Sequence, residues 1–368
     1  MQEDGMDSTQ SSAPVDYDLH GLAGVRVLGA QPDDVAAVDR QLGPIRGTLE
    51  REPDIVVRFV DRLDLDGPLR LLGVDEAGFT EDAFLILRSR HKARARVLVP
   101  LEQVGGRCEL VCERGLPAVP LLIAILNLTV LARGALPLHA SAFVHGERGV
   151  VVTGWSKGGK TEAVLAFMSR GARFVGDEWV YVESDGARVH GIPEPMRVWD
   201  WHLRQLPELR DRVAPVDRAR LNALRLAASA ARGRRGRRVG VFVGRQLHVD
   251  VPPERMFAAS SVALSAPFDR LFLVGSWDRP ETEARPIEPA EVAARMAFSL
   301  QHERAPLLAA YEQFRFAFPE RANPVLEGAA ERERELLARV LAGKPSHAVE
   351  HPYPVDLSRL FEVMSPLC

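Results

Sequence analysis

The chain has 368 residues, enough for two domains or for one large domain with an accessory one. Apolar content of 46% and charged content of 26% are ordinary for a globular protein, and a net charge of −3 gives no global reason to expect nucleic acid as a partner. The three cysteines, Cys108, Cys112 and Cys368, are too few and odd in number for a disulfide scaffold and fit a reducing cytoplasm.

The first residues are acidic and polar rather than basic and then apolar, so they do not read as a signal peptide. Residues 1–18 carry little to bury and read as a disordered tail. A strand pattern follows at 22–28, then a short helix from Pro32 to Leu42 with proline in its first turn. Short strand-like runs at 55–60, 69–74, 83–88, 94–99 and 107–112 are separated by turn residues such as Asp66-Gly67-Pro68. The basic run RSRHKARAR, 88–96, reads as a solvated hairpin edge. Cys108 and Cys112 can share a strand face, but no second pair completes a zinc set. Residues 19–115 therefore form a small β-rich module without a cluster of catalytic residue types.

The apolar run 119–132 is too short to span a bilayer and reads as a buried helix. Residues 136–144 and 149–153 read as two strands of a hairpin. Beyond residue 170 come a strand at 173–175, a hairpin around Ser184-Asp185-Gly186, and mostly helix over 202–231. The loop RGRRGRR, 232–238, carries five arginines, suited to forked phosphate contacts or simply to solvent. Strands at 239–243, 246–251 and 270–274 precede helices at 289–300, 305–316 and 326–341, then a strand near 347–351 and a helix at 355–363. Residues 116–368 read as one α/β domain with a mixed central sheet and a helical C-terminal part.

The chemistry concentrates where the second strand of the 136–153 hairpin runs into a helix. Gly154, Trp155, Ser156, Lys157, Gly158, Gly159, Lys160 and Thr161 fit G-x-x-x-x-G-K-[ST], between an apolar β-branched run and a helical pattern that ends at Gly171. Glycines let the backbone turn its N–H groups towards phosphate oxygens, and a helix N-terminus adds unpaired N–H groups and positive dipole. Lys160 can reach the outer phosphates and the Thr161 hydroxyl can ligate Mg²⁺. Asp177 and Glu178 stand 17 and 18 residues after Lys160. A strand–helix–strand unit of that length predicts adjacent parallel strands, with these acids beside the loop, where they can hold Mg²⁺ or accept a proton. The spacing is too short for transporter-type ATPases, and no N-K-x-D motif marks a GTPase. His139, on the strand leading to the loop, is either a catalytic neighbour or a satisfied core histidine.

The stretch LPLHASAFVHGERGVVVTGWSKGGKTEAVLAFMSRGARFVGDEWVYV resembles the C-terminal kinase domain of HPr kinase/phosphorylase. The order of a histidine strand, a phosphate loop, a helix ending in R-G and a strand ending in two acids is matched by His139, Gly154–Thr161, Arg170-Gly171 and Asp177-Glu178. That family phosphorylates a serine of a carrier protein with a nucleotide and Mg²⁺. The resemblance implies that Asp177 is the base or the metal-side carboxylate, with His139 near the transferred phosphate. It covers roughly residues 136–200. The first 115 residues are unlike the bacterial enzyme's N-terminal domain, the second acid is Glu rather than Asp, and the E-x-R-G-x-G signature is absent, Pro193-Glu194-Pro195-Met196-Arg197 standing roughly in its place. These departures point away from the carrier protein and towards the looser group of HPr-kinase-like proteins.

The expected function is phosphate transfer from ATP, or another NTP, with Mg²⁺, to a hydroxyl of a protein, peptide or small molecule. An ATP-binding regulatory or scaffold protein without transfer is the alternative, and a plain NTP hydrolase with Glu178 polarising water is a third. No nucleic-acid or membrane partner is expected, and a homo-oligomer stays open.

Overall fold

The computed structural model describes residues 13–43, 45–73, 75–88, 94–230 and 243–368. The protein is mixed α/β with two compact units, Met1–Arg133 joined by Arg304–Ala329, and Gly134–Glu303 joined by Ala330–Cys368. The whole arginine-rich loop, 232–238, and all but the last residue of the expected strand at 239–243, like residues 89–93 of the basic run, lie outside the described residues.

The first unit holds a mixed eight-stranded sheet, β1 Val15–Leu19, β2 Ala23–Leu28, β3 Ile55–Val60, β4 Arg70–Leu72, β5 Ala77–Phe79, β6 Phe84–Arg88, β7 Arg94–Leu98 and β8 Cys108–Glu113, in the order β1-β2-β3-β8-β7-β6-β5-β4. β8 alternates, turning Cys108, Leu110 and Cys112 inward, as a strand with one buried face must. Residues 15–18 of the expected tail are taken up by β1, because Tyr17 and Leu19 alternate into the core. Helices α1 (Pro32–Leu42) and α2 (Leu122–Ala132) belong to this unit, as do the helical residues of Arg304–Ala329. α2 is apolar nearly all round and is buried accordingly, so the compact division of the chain falls after it at Arg133, rather than before it near residue 116.

The second unit is organised on a nine-stranded mixed sheet. Its strands are β9 Leu136–His145, β10 Arg148–Gly154, β11 Arg173–Gly176, β12 Trp179–Val182, β13 Arg188–Gly191, β16 Ser265–Pro267, β17 Arg270–Ser276, β18 Glu283–Pro286 and β19 Ser346–His351. A separate pair, β14 Met196–Trp199 and β15 His248–Val251, stands apart from it. The sheet order is β16-β13-β12-β9-β10-β17-β19-β18, with β11 pairing a further part of β9. β9 is buried over nine of its ten residues, the run expected of a strand covered on both faces.

The helix α3 (Lys160–Met168) follows β10 and is sunk into the core: Ala163 to Phe167 are fully buried, and Phe167 stacks on Phe143 at 4.4 Å. Gly171, at φ 86°, ends the turn that follows.

Three further expectations are corrected. β10 and β11 are parallel in direction but not adjacent: both pair antiparallel with β9, which lies between them. The β9–β10 hairpin forms on one edge of β9 and leaves its other edge open, and β11 takes that edge. The helices expected at 289–300 and 305–316 are one helix, Pro289–Ala317, with Pro306 inside it. No glycine or turn residue separates the two halves, and a single proline removes only one helical hydrogen bond. The helix expected at 326–341 is broken at Gly328 into Pro324–Glu327 and Ala329–Leu341.

Candidate functional site

The glycine-rich loop lies between the end of β10 and the head of α3. A Cβ on Gly159 would sit 2.2 Å from His351 Nε2, and its φ of 111° is one that only glycine adopts readily, so both space and backbone require this residue. Gly159 is also the N-cap of α3 and offers no side-chain oxygen, so the first-turn N–H groups are left for an anion. Lys157 holds φ 64° without being glycine, a strained position of the kind found at ligand clamps. Ser156 lies beside it, half-buried, while Trp155 is 53% exposed. Below the loop, the carbonyl of Gly158 faces His351 Nε2 at 2.9 Å.

Lys160 is buried at 6% exposure, and its ammonium donates to the carbonyls of Gly154 (3.3 Å) and Trp155 (3.1 Å). Burial pulls its pKa below the usual lysine value, against the opposing charges of Glu178, Asp177, Glu303 and Glu162. The next residue on α3, Thr161, donates its hydroxyl to Asp177 Oδ2 at 2.9 Å.

Asp177, 2% exposed, stands at the junction of β11 and β12. Its other oxygen, Oδ1, accepts from the Ser141 hydroxyl on β9. Burial, and then the charge of Glu178, push its carboxyl up to about 7, while the two hydroxyls and Lys160 oppose that rise. Glu178 is held in the opposite direction, below the usual range, first by its hydrogen bond with His139. Burial therefore favours the neutral form of Asp177, while His139 favours the ionised form of Glu178.

His139 is 3% exposed, with Nε2 3.2 Å from Glu178 Oε2. Its Nδ1 lies 3.2 Å from Glu303 Oε1 but off the line of a hydrogen bond. The His139 ring packs beside Trp179, centroids 5.5 Å apart. Glu178 takes φ 70° to turn its carboxylate this way.

The structure therefore brings Lys160, Thr161, Asp177, Glu178 and His139 to one place, with the loop residues Gly154 to Gly159 beside them. It adds residues that the sequence reading gave no role. Ser141 is two positions beyond His139 on the same face of β9, and the period-two rule could have found it. Glu303 arrives from a remote helix and left no local signal. Glu194 accepts from the Trp179 N–H, and burial, then the charges of Glu178 and Asp177, push its carboxyl well above the usual range, its Oε1 having no hydrogen-bond partner. Glu162, on α3, bonds His202 Nε2 at 3.1 Å; burial raises its carboxyl, but His202, its own backbone N–H and His351 together hold it below the usual value.

Among the described residues no cluster of three or more His, Cys, Asp or Glu side chains is arranged to hold a metal by itself. The Thr161 hydroxyl and the Asp177 carboxylate, already in contact, are two hard oxygen donors at the head of α3. They fit Mg²⁺, which takes one or two protein ligands and completes its shell with water and substrate phosphate.

No protein-family model matches the chain, and no curated protein sequence matches it. Among solved structures it is similar to the Hpr(Ser) kinase/phosphatase from Coxiella burnetii, at 13% identity over 49% of this chain and 97% of that chain, with a TM-score of 0.22. So low a score leaves the assignment to the chain's own geometry. No helix among the described residues is long and apolar enough to cross a membrane.

Proposed function

We propose that the protein is a nucleotide-dependent phosphotransferase that moves the terminal phosphate of ATP, or of another NTP, to a hydroxyl of a protein, peptide or small molecule. The observation that carries this reading is the contact between Thr161 and Asp177 at 2.9 Å, which joins a phosphate-loop helix to a buried carboxylate whose pKa burial raises above the usual range. A general base works best when its pKa is close to the working pH.

In this reading the free N–H groups at the head of α3 hold phosphate oxygens, and Lys160 leaves the Gly154 and Trp155 carbonyls to meet the outer phosphates. Thr161 and Asp177 would hold Mg²⁺, which supplies positive charge to the phosphate oxygens when bound. Asp177 takes the proton of the acceptor hydroxyl as its oxygen bonds to the terminal phosphorus and the bond to the bridging oxygen breaks. His139, with one ring nitrogen on Glu178 and the other facing Glu303, stands beside the carboxylates and keeps Glu178 ionised.

A second reading has its own observation. Both oxygens of Asp177 already accept hydroxyl hydrogen bonds from within the chain, from Ser141 and Thr161. A carboxylate so occupied suits an ATP-binding regulatory protein that transfers nothing. Incubation with γ-labelled ATP, Mg²⁺ and a cell extract as the source of acceptors separates the two. A phosphotransferase moves label to an acceptor, and Asp177→Asn reduces that rate by roughly 10²–10⁴-fold while keeping nucleotide binding. Label that stays on ATP with the wild type favours the regulatory reading, and loss of binding in the variant makes Asp177 a metal or structural residue.

A further inference from the structure

The carboxylate cluster lies to one side of the glycine-rich loop and a cavity lies to the other. In the sheet, β9 and then β11 lie beyond β10 on the side of Asp177, while β17 and then β19 lie on the opposite side. The end of β17 lies directly under the loop: a Cβ on Gly154 would come within 2.3 Å of the Val274 carbonyl oxygen. Beside this contact, the C-terminal ends of β17 and β19 and the first half of the Pro289–Ala317 helix line a half-open cavity of about 400 Å³. Trp155 of the loop, Gly275, Arg295, Phe298 and Glu350 are among its walls. The volume is within the ~300–1,000 Å³ of small-molecule sites.

Two large aromatic side chains of the walls are exposed in the lining of this one cavity, Trp155 at 53% and Phe298 at 67%. Trp155 already stacks a flat ring, that of His302, with centroids 4.9 Å apart and planes 26° from parallel. Aromatic faces of this kind are platforms for nucleobases. Arg295 carries donors and Glu350 acceptors suited to a ring edge.

We infer that this cavity takes the nucleobase of the bound nucleotide, a purine stacked against Trp155, with the phosphates running over the loop towards Asp177. The inference rests on the phosphate-loop reading of residues 154–161. It gives the loop's two sides separate tasks: reacting groups on the β9 and β11 side, base recognition on the β17 and β19 side. A bicyclic ring offers the larger face to Trp155 and Phe298, which favours purine over pyrimidine.

Calorimetric titration of the full chain with Mg-ATP, Mg-GTP, Mg-UTP and Mg-tripolyphosphate tests it. Tripolyphosphate offers the phosphates without a base. A Cβ at Gly275 would meet nothing within 4 Å, so Gly275→Leu fills the cavity without a backbone clash. Phe298 is exposed, so Phe298→Ala removes a wall with little risk to folding. The expected result is that wild type prefers a purine nucleotide to tripolyphosphate and to UTP by about tenfold or more, the worth of one stacked base. Both variants should lose that preference and keep their tripolyphosphate affinity. Tripolyphosphate binding as tightly as ATP and GTP, or both variants keeping full purine preference, overturns the inference while leaving the phosphate loop in place. UTP binding as well as the purines overturns the choice of purine. A wild type that binds none of the four overturns the phosphate-loop reading and this one with it.

Discussion

Asp177 shows how one residue's burial becomes a measurable property of the whole chain. Its carboxyl sits near 3.8 when solvated and is raised to about 7 in the fold, by burial and then by Glu178. Between those values the folded chain binds more protons at this site than the unfolded chain does. Stability from this group is therefore complete at low pH and falls as pH rises from about 4 to about 7. Asp177→Asn removes the titration, so the difference in urea midpoint between variant and wild type should grow in the variant's favour from pH 5 to pH 7.5, measured in chelator without nucleotide. A constant difference would mean that the carboxyl is not raised. Glu178 offers a second residue-level check. It holds φ 70°, where a side chain costs roughly 1–2 kcal/mol, and its carboxylate bonds His139. Replacement by alanine loses the bond and keeps the strain; replacement by glycine loses the bond and releases the strain. Glu178→Gly should be more stable than Glu178→Ala by about 1 kcal/mol in denaturant titrations, and the reverse order would place the strain elsewhere.

At the scale of elements, the site is the meeting of a loop, a helix head and a central strand. α3 has nine residues, and its first-turn N–H groups have no side-chain cap. A nucleotide would supply that cap, and Lys160 its counter-charge. A ligand that binds only the folded chain raises stability as RT ln(1 + [L]/Kd). Mg-ATP should therefore raise the melting temperature of wild type, and Lys160→Ala should abolish the shift; equal shifts in both would remove Lys160 from phosphate binding. The loop, the helix and Asp177 were legible because each rests on a local pattern: glycine spacing, 3.6-residue periodicity, acids at a strand end. The place of β9 was not. A strand–helix–strand unit looks the same in sequence whether its strands are neighbours or have a third between them. That insertion brings Ser141 onto Asp177 and His139 onto Glu178, so half of the cluster depends on sheet order. Glu303 lies 164 residues from His139 and had no local pattern to announce it. The fusion of two expected helices through Pro306 escaped for the opposite reason, since proline is a strong local signal that the fold overrode.

At the scale of the molecule, the first compact unit is discontinuous in sequence, and its two segments depend on each other. Residues 1–133 supply the eight-stranded sheet, and Arg304–Ala329 supplies side chains that the sheet cannot replace. Phe314 packs edge-on to Phe84 at 5.6 Å, and Phe318 meets Phe79 at 6.0 Å. Asn323, 1% exposed, donates to the carbonyls of Leu101 (2.7 Å) and Val104 (2.9 Å), and its Oδ1 caps the helix Pro324–Glu327 by accepting from Val325 and Leu326. Without that segment, two carbonyls and an aromatic face of the sheet lose their partners. Asn323→Ala in the full chain should cost about 3 kcal/mol, the sum of a lost cap and unpaired carbonyls. A fragment of residues 1–133 should fail to reach a native fold. Cys108 and Cys112 report this directly, because burial pushes both thiols up to about 12 and leaves them inert in the full chain. In the fragment they should react with a thiol reagent at the rate of an unfolded chain, and a synthetic peptide of residues 304–329 added in trans should slow them. A fragment whose thiols stay protected without the peptide would show that the sheet is self-sufficient and that the returning segment only covers it.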